Sequence, residues 1–233
     1  VDITYINEGE AHRVEAKNCI LACYNRIIPW LCPDLPETQK EALRYNVKVP
    51  LVYTNVLIRD WTSFHKLGVQ NVFSPAGYHH SVSLDFPVSL GNYSFSSSPE
   101  EPMVLHLVRT PCAPGSGISA REQHQIGRYD LLRTTFDTFE REIRTQLGGM
   151  LSQGGFDPAR DIEAITVNRW PHGYSYEYNS LFDPDWAPEE FPHVAARRKS
   201  GRIAIANSDA GGYAYLNSAI DQAYRAVEDL NGA

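Results

Sequence analysis

The sequence predicts an α/β fold of the mixed α+β type, and three observations lead to this prediction. Several short stretches alternate apolar and polar residues, as strands with one buried face do. Residues 121–147 carry apolar side chains in steps of three and four, which is typical of a long amphipathic helix. The chain closes with a short apolar strand, a turn of small residues and a second helix. A length of 233 residues allows one large domain or two small ones.

The composition is ordinary for a globular protein and excludes several classes of function. Hydrophobic residues make up 42% of the sequence and charged residues 21%. No apolar run approaches the roughly 20 residues of a membrane-spanning helix, so we predict no membrane span. The formal net charge of -7 argues against a nucleic-acid partner, because such proteins usually present a basic surface. The four cysteines include no CxxC pair, so we expect no metal site and treat them as small buried apolar residues.

The first half of the chain is predicted to contain mainly strands. Alternating runs around a turn predict a hairpin at residues 1–16, and a chain that begins inside a hairpin is expected to belong to a longer protein. The continuous apolar run Cys19–Cys23 predicts a strand that is covered on both faces. A helix is predicted over Glu37–Tyr45, with Pro36 at its first turn. Further strands are predicted at 47–57, 81–84 and 104–108.

The second half is predicted to contain the long helix and the closing strand and helix. The helix at 121–147 should end at Gly148-Gly149 and back a mixed sheet built from residues 37–168. A strand over Ile162–Trp170 leads into an aromatic, proline-rich loop. The stripe of the long helix consists of Tyr129, Leu132, Phe136, Phe139, Ile143 and Leu147. The closing elements are a strand over Arg202–Ala206 and a helix over Leu216–Leu230.

The residues best suited to bind a ligand or cofactor lie in the turn between the closing strand and the closing helix. Asn207-Ser208-Asp209 follows the strand directly, and Gly211-Gly212 lets the backbone approach another group closely. The helix that follows offers unpaired N–H groups and a partial positive charge at its first turn, which can stabilise an anion. An ordinary strand–helix connection accounts for the same residues, so the pattern alone leaves both interpretations open.

The same turn resembles a known family. Ala206-Asn207-Ser208-Asp209, then Ala214-Tyr215-Leu216-Asn217-Ser218-Ala219, is similar to the carboxyl-terminal signature of the FAD-dependent amine oxidases. Together with the run Arg169–Tyr174, it looks closest to the bacterial spermidine dehydrogenase branch. Val14 to Ala22 is similar to the strand pair with which that family returns to its FAD-binding domain.

The resemblance implies an arrangement of domains and a missing part. Residues 1–36 and 195–233 would be parts of a Rossmann-like FAD-binding domain, and residues 37–194 would form a mixed-sheet substrate domain with the long helix. The family's Gly-x-Gly-x-x-Gly fingerprint is absent, because Gly115-Ser116-Gly117 follows a proline-rich loop and not a strand. The chain would therefore be a carboxyl-terminal half whose partner is the missing amino-terminal FAD-binding half.

The resemblance also assigns candidate site residues. Ser208 and Asp209 would approach the ribityl–pyrophosphate region of FAD, and the backbone at Tyr215 and Leu216 would face the flavin. Ala219 would keep the helix close to the cofactor. The side chains of Tyr215, Trp170 and Tyr174 would form the catalytic aromatic walls.

Aromatic and acidic residues alternate through the loop at 170–191, and two interpretations are open. Aromatic faces and carboxylates together attract ammonium groups, which would suit a di- or polyamine. A loop packed on a core with its acids in water explains the composition equally well. Among the histidines, His79-His80 is expected to serve packing or the surface, and His106 has no evident partner. His172 could act on a proton, although a histidine bound to the backbone is the simpler interpretation.

The implied activity is that of an oxidoreductase. The parent enzyme would oxidise a small amine such as spermidine by hydride transfer to FAD. Members of this branch can also hold a haem, but no residue here identifies its ligands. The alternatives are a non-catalytic fragment or binding module, and a flavin oxidoreductase of the same fold that acts on an amino acid, a phytoene-like molecule or a porphyrinogen. The resemblance implies a soluble bacterial protein of either the cytoplasm or the periplasm.

Overall fold

A computed structural model describes residues 1–232 and confirms the predicted mixed α/β class. The chain forms two compact units. Unit 1 contains Val1–Lys48 and the chain from Tyr174 onward, and unit 2 contains Val49–Gly173.

The strands of both units are numbered in chain order. They are β1 (Asp2–Asn7), β2 (Glu10–Glu15), β3 (Cys19–Leu21), β4 (Val49–Ile58), β5 (Asn71–Phe73), β6 (Ser81–Leu84), β7 (Met103–Arg109), β8 (Ile162–Tyr174) and β9 (Ile203–Ile205). The α-helices are α1 (Ile28–Leu31), α2 (Glu37–Tyr45), α3 (Thr62–Leu67), α4 (Ala120–Arg133), α5 (Phe136–Leu151), α6 (Pro158–Asp161), α7 (Pro192–Ala196), α8 (Ser208–Gly211) and α9 (Leu216–Asn231).

Unit 1 contains two small sheets. Strands β1 and β2 form the predicted antiparallel hairpin, in which Asp2 lies opposite Glu15. Strands β3 and β9 pair in parallel, with Ile20 opposite Ala204. The expectation that β3 is covered on both faces is wrong for the chain as it stands, since Ile20 is 42% exposed. The reason is that Leu21 packs against the buried cluster of unit 1, whereas Ile20 points to the opposite face of the strand, which the described residues leave exposed.

Helix α2 belongs to unit 1 because of both its apolar and its polar side chains. Leu43 packs in one buried cluster with Ile28 and Ile205. Gln39 donates hydrogen bonds to the carbonyl oxygens of Ala196 at 3.0 Å and Arg198 at 2.6 Å. The units therefore change at 48/49 and 173/174, whereas the predicted domains change at 36/37 and 194/195. The assignment of 37–194 to a substrate domain stays a prediction.

Unit 2 is a five-stranded sheet in the order β5-β6-β7-β4-β8 with helices packed on one face. The described pairings β5–β6, β6–β7 and β4–β7 are antiparallel. One face of the sheet is buried against α5 through a cluster that includes Val56, Leu105, Leu107, Ile143 and Leu147. Because side chains alternate along a strand, the opposite face carries polar residues, among them Asn55 and His106.

The predicted single helix at 121–147 is two helices, α4 and α5. Thr134 and Thr135 both adopt extended backbone angles, and the Thr135 hydroxyl caps α5 by accepting from the backbone N–H of Thr138. The stripe is divided as a result, because Leu132 is 79% exposed while Phe139 is buried. The predicted stop at Gly148-Gly149 is also wrong, since α5 continues through both glycines to Leu151.

Candidate functional site

The turn after β9 is held in place by side chains of unit 1. Asn207 caps α8, because its Oδ1 accepts from the backbone N–H of Ala210 at 2.8 Å. The side-chain nitrogen of Asn207, Nδ2, donates to the Cys23 carbonyl and to Asn25 Oδ1, the latter at 3.0 Å. Gly212 ends α8 in the left-handed region at φ 59°, a conformation that favours glycine. The turn is therefore fixed to the segment that follows β3.

Asp209 is buried inside this turn. Its Oδ1 lies 2.9 Å from Lys48 Nζ, and its Oδ2 accepts from the backbone N–H of Asn25 at 3.1 Å. The Asn46 side chain donates to the Asp209 carbonyl at 3.1 Å. The Asp209 side chain is 1% exposed, so its carboxylate stabilises the turn from within. Its predicted approach to the ribityl–pyrophosphate region stays a prediction.

The first turn of α9 is open. Tyr215 stands at the N-cap position without a side-chain cap, and the first turn contains no acidic residue. Leu216 is 77% exposed and Tyr215 is 56% exposed. The rings of Tyr213 and Tyr215 lie 4.6 Å apart, and Glu177 accepts from the backbone N–H of Ala214 at 3.0 Å. The N–H groups that begin α9 thus lie beside an exposed pair of tyrosines.

The predicted site residues fall into both units. Unit 1 contains Ser208 and Asp209 on α8, Tyr215 at the N-cap of α9, and Leu216 and Ala219 on α9. Ser208 and Ala219 are half-buried. Of the other two aromatic candidates, Tyr174 is 49% exposed in unit 1 and Trp170 is 55% exposed in unit 2.

The aromatic segment of unit 1 forms a packed cluster around Asp183. The hydroxyl groups of Tyr45 and Tyr176 donate to this carboxylate at 2.6 and 2.9 Å, and the Asn179 backbone N–H donates at 2.9 Å. Trp186 packs edge-on against Tyr45, with ring centroids 5.3 Å apart. The cavity left in this cluster is about 10 Å³, little more than a water position. The packing interpretation of this part of the loop therefore holds, because Asp183 is already bound and no room remains for an amine.

Two histidines of unit 2 have partners that local sequence does not reveal. His79 is fully buried between Thr54 Oγ1 at 3.3 Å and Gln146 Oε1, and burial lowers its pKa to about 4. The expectation that His106 has no evident partner is wrong. Its Nδ1 lies 2.8 Å from Asn55 Oδ1 and its Nε2 lies 2.7 Å from Asp85 Oδ1. The register of β4 and β7, which sets Asn55 opposite His106, is the signal that could have found the first contact.

The described part of the chain holds neither a metal centre nor a membrane helix. Within residues 1–232 no cluster of three or more His, Cys, Asp or Glu side chains is arranged to hold a metal ion. Over the same residues, no helix combines the length and the apolar character that crossing a bilayer requires.

Comparison with solved structures identifies the fold. Wild-type putrescine oxidase bound to putrescine matches 99% of this chain with a TM-score of 0.58 and 14% identity. Cyclohexylamine oxidase from Brevibacterium oxydans matches 99% with a TM-score of 0.59 and 12% identity. A putative protoporphyrinogen oxidase from Exiguobacterium matches 98% with a TM-score of 0.63 and 10% identity. No protein-family model and no curated protein matches the sequence.

The chain shares the fold of these oxidases. It spans 45 to 48% of their length, so each of them contains a further part of similar size. The predicted resemblance to amine oxidases is thus confirmed at the level of the fold. The spermidine branch rests on the sequence motifs alone.

Proposed function

We propose that the chain is the carboxyl-terminal half of an FAD-dependent oxidoreductase that oxidises an amine. The observation that carries this proposal is the match of almost the whole chain to less than half of putrescine oxidase and cyclohexylamine oxidase. The signature at residues 206–219 supports it independently, because it is a property of the amino-acid sequence and owes nothing to the similarity of the folds. The partner of the chain is then an amino-terminal half that supplies the phosphate-binding fingerprint of the cofactor domain.

The residues of α8 and α9 fit an anionic cofactor edge. The first turn of α9 contains no acidic residue and no side-chain cap. The Glu177 carboxylate binds the Ala214 N–H, which precedes the helix, so the N–H groups of the first turn itself remain suited to hold developing negative charge. FAD, when bound, supplies the acceptor for the hydride that leaves the substrate. Ser208 and the backbone at Tyr215 and Leu216 would contact it, and Ala219 would let α9 approach closely. Asp209 would contribute indirectly, because its ion pair with Lys48 fixes the turn that carries Ser208.

The proposed substrate is a small amine, and a polyamine such as spermidine is the finer form of this proposal. The rings of Tyr215 and Tyr174 in unit 1 are each about half exposed and suited to contact an alkylamine, and Trp170 of unit 2 is a separate candidate with a similarly exposed ring. An amine must be neutral to lose hydride, and aromatic walls that remove water favour the neutral form. The Asp183 cluster has no part in this site, since its cavity of about 10 Å³ is too small for an amine.

A ring-system substrate is the second candidate. The protoporphyrinogen oxidase has a TM-score of 0.63, against 0.58 and 0.59 for the two amine oxidases above. A porphyrinogen is larger and carries carboxylates, so it would need basic residues in the site. Arg169 stands beside Trp170, but alternation along β8 directs its side chain to the other face of the strand, where it donates to the Thr134 carbonyl at 3.0 Å. The amine therefore remains the first candidate.

The experiment is reduction of flavin by substrate in the paired protein. The chain is produced together with an amino-terminal FAD-binding half, and putrescine, spermidine or protoporphyrinogen is added without oxygen while the flavin absorption is followed. Bleaching by an amine supports the proposal, and bleaching by the porphyrinogen alone moves it to the second candidate. Tyr215→Leu should slow bleaching by about tenfold through the lost aromatic contact, whereas Tyr5→Leu, the same change at a hairpin tyrosine that is also about half exposed, should not. Retained flavin that no amine reduces would refute the amine substrate.

A further inference from the structure

Unit 2 contains a cavity beside the end of β7, lined by Arg109 of that strand and Glu142 of α5. Its volume is about 580 Å³, which is large enough for a small organic ligand. Arg109 lies directly opposite Val52 of β4, which belongs to the buried cluster under α5. Residues directly opposite each other in a sheet point to the same face, so the cavity lies on the helix side of the sheet.

The sheet separates this cavity from the aromatic site candidate of unit 2. Val167 packs on the core cluster, so Thr166 and Trp170 point to the opposite face of β8. Asn55 donates to the Thr166 hydroxyl on that face at 3.4 Å. The cavity at Arg109 therefore lies on the other side of the sheet from Trp170, and the proposed function does not use it.

Arg109 is held in the cavity with most of its N–H groups free. Its guanidinium carbon lies 4.1 Å from the ring centroid of Tyr78, and Nη1 donates to the Tyr78 carbonyl at 2.7 Å. Asp130 lies 3.9 Å from Nη2, which is an ionic contact but too long for a hydrogen bond. Over residues 1–232, Nε and Nη2 of Arg109 reach no hydrogen-bond acceptor. Stacking and one hydrogen bond thus orient the guanidinium, and its free edge is suited to bind a carboxylate through two parallel hydrogen bonds.

The ion pairs around the cavity leave one positive charge in surplus. Asp130 also pairs with Arg133 at 3.6 Å, and Glu142 pairs with Arg141 at 3.7 Å. Together with Arg109, three arginines therefore face two carboxylates. A ligand with one negative charge neutralises the surplus. A phosphate monoester carries nearly two negative charges at neutral pH, so it would leave a negative excess beside the two carboxylates.

The rest of the lining suits an uncharged ligand body. Pro75 and Pro114 present apolar side chains, and the ring of Tyr78 also lines the cavity. Burial lowers the pKa of His80, so the imidazole that lines the cavity adds no charge at neutral pH. The cavity therefore combines one available cation with an apolar surface.

We propose that this cavity binds a small monocarboxylate with an apolar body, through Nε and Nη2 of Arg109. The ligand is opposite in charge to the ammonium form of an amine, so it is not the substrate of the proposed function. The site rests on residues of unit 2 alone and needs neither flavin nor an amino-terminal half. Its failure would therefore leave the proposed oxidoreductase function untouched.

The test uses Cys112, an exposed thiol that lines the cavity, as a local reporter. The full chain is alkylated with iodoacetamide at neutral pH in the presence of phenylacetate, phenylacetamide or phenyl phosphate, and the rate at each cysteine is followed by mass spectrometry of its peptide. Phenylacetate should protect Cys112 at about one tenth of the concentration that phenylacetamide requires, and phenyl phosphate should protect less well than phenylacetate. The rate at Cys32, a half-buried thiol of unit 1, should stay unchanged.

A pair of charge-removing variants locates the ionic contact. Arg109→Gln should raise the phenylacetate concentration needed for protection by about tenfold and should leave protection by phenylacetamide unaffected. Arg59→Gln removes the same charge from a side chain of unit 2 that is 59% exposed and does not line the cavity, so it should change neither value. Equal protection by the acid and the amide, stronger protection by the phosphate, or no protection by phenylacetate would overturn the proposal. This comparison of ligands is made on the wild-type chain, so it decides the question even if Arg109→Gln fails to fold.

Discussion

Lys48→Met tests whether the turn at Asp209 depends on a buried ion pair. The Asp209 side chain is 1% exposed and that of Lys48 is 17% exposed, so the variant leaves a carboxylate without its cation in a site that water barely reaches. Breaking a buried pair by removing one partner costs about 3–5 kcal/mol. Methionine retains much of the apolar stem of lysine, and Asp209 keeps the hydrogen bond from Asn25. We therefore expect a loss near the lower end, about 3 kcal/mol of the free energy of unfolding.

The assay is urea unfolding followed by circular dichroism, with Arg13→Met as the matched control. Arg13 pairs with Asp2 in the same unit, but both side chains are more than half exposed, so this variant should unfold like the wild type. Adding Asp209→Asn to Lys48→Met removes the stranded charge and should recover most of the loss. If Lys48→Met is as stable as Arg13→Met, the Asp209 carboxylate is solvated and the account of the turn is wrong.

Three further predictions concern unit 2. Burial lowers the pKa of His79 to about 4 from an ordinary value near 6.5, so the folded state resists protonation of this ring. About 3 kcal/mol of the free energy of unfolding, present above pH 6.5, should therefore be lost as the pH falls towards 4. Urea unfolding at a series of pH values measures this loss, and His79→Gln should abolish it. Gly127→Ala should lower the thermal midpoint, since the new Cβ would lie 1.9 Å from the Pro111 carbonyl oxygen, whereas Gly149→Ala, with open space around it, should raise the midpoint; the opposite order would contradict the packing of α4. Thr135→Ala removes the cap of α5 and should cost about 1 kcal/mol in chemical denaturation, and an unchanged stability would show that the cap is not needed.

Local signals in the sequence are sufficient for elements with clear ends. The predicted bounds of helix α2, Glu37–Tyr45, are the observed ones, because Pro36 marks its start and its amphipathic pattern is complete. The predicted end of helix α9 lies within a residue of the observed end. The break at Thr134-Thr135 escapes prediction because the apolar spacing runs through it, although threonine at a cap position is itself a start signal.

Local sequence patterns do not predict contacts between residues that are far apart in the chain. The sequence motif predicts that Asp209 contacts the cofactor. No residue near Asp209 in the sequence indicates that its carboxylate forms a buried ion pair with Lys48. The Asp85–His106–Asn55 network likewise joins three strands or their ends, so it depends on strand order and register. The Asp183 cluster shows the same limit, because composition cannot distinguish a filled aromatic core from an open amine site.

The central claim is that this chain completes an FAD site when it is joined to an amino-terminal half. The most direct measurement is the absorption spectrum of the two polypeptides purified together, after dialysis against FAD-free buffer. The account predicts flavin bands at about one equivalent per pair, with Leu216→Pro, which removes an N–H from the first turn of α9, retaining less flavin than Leu216→Ala. A colourless complex, from two halves that associate stably, would contradict the claim.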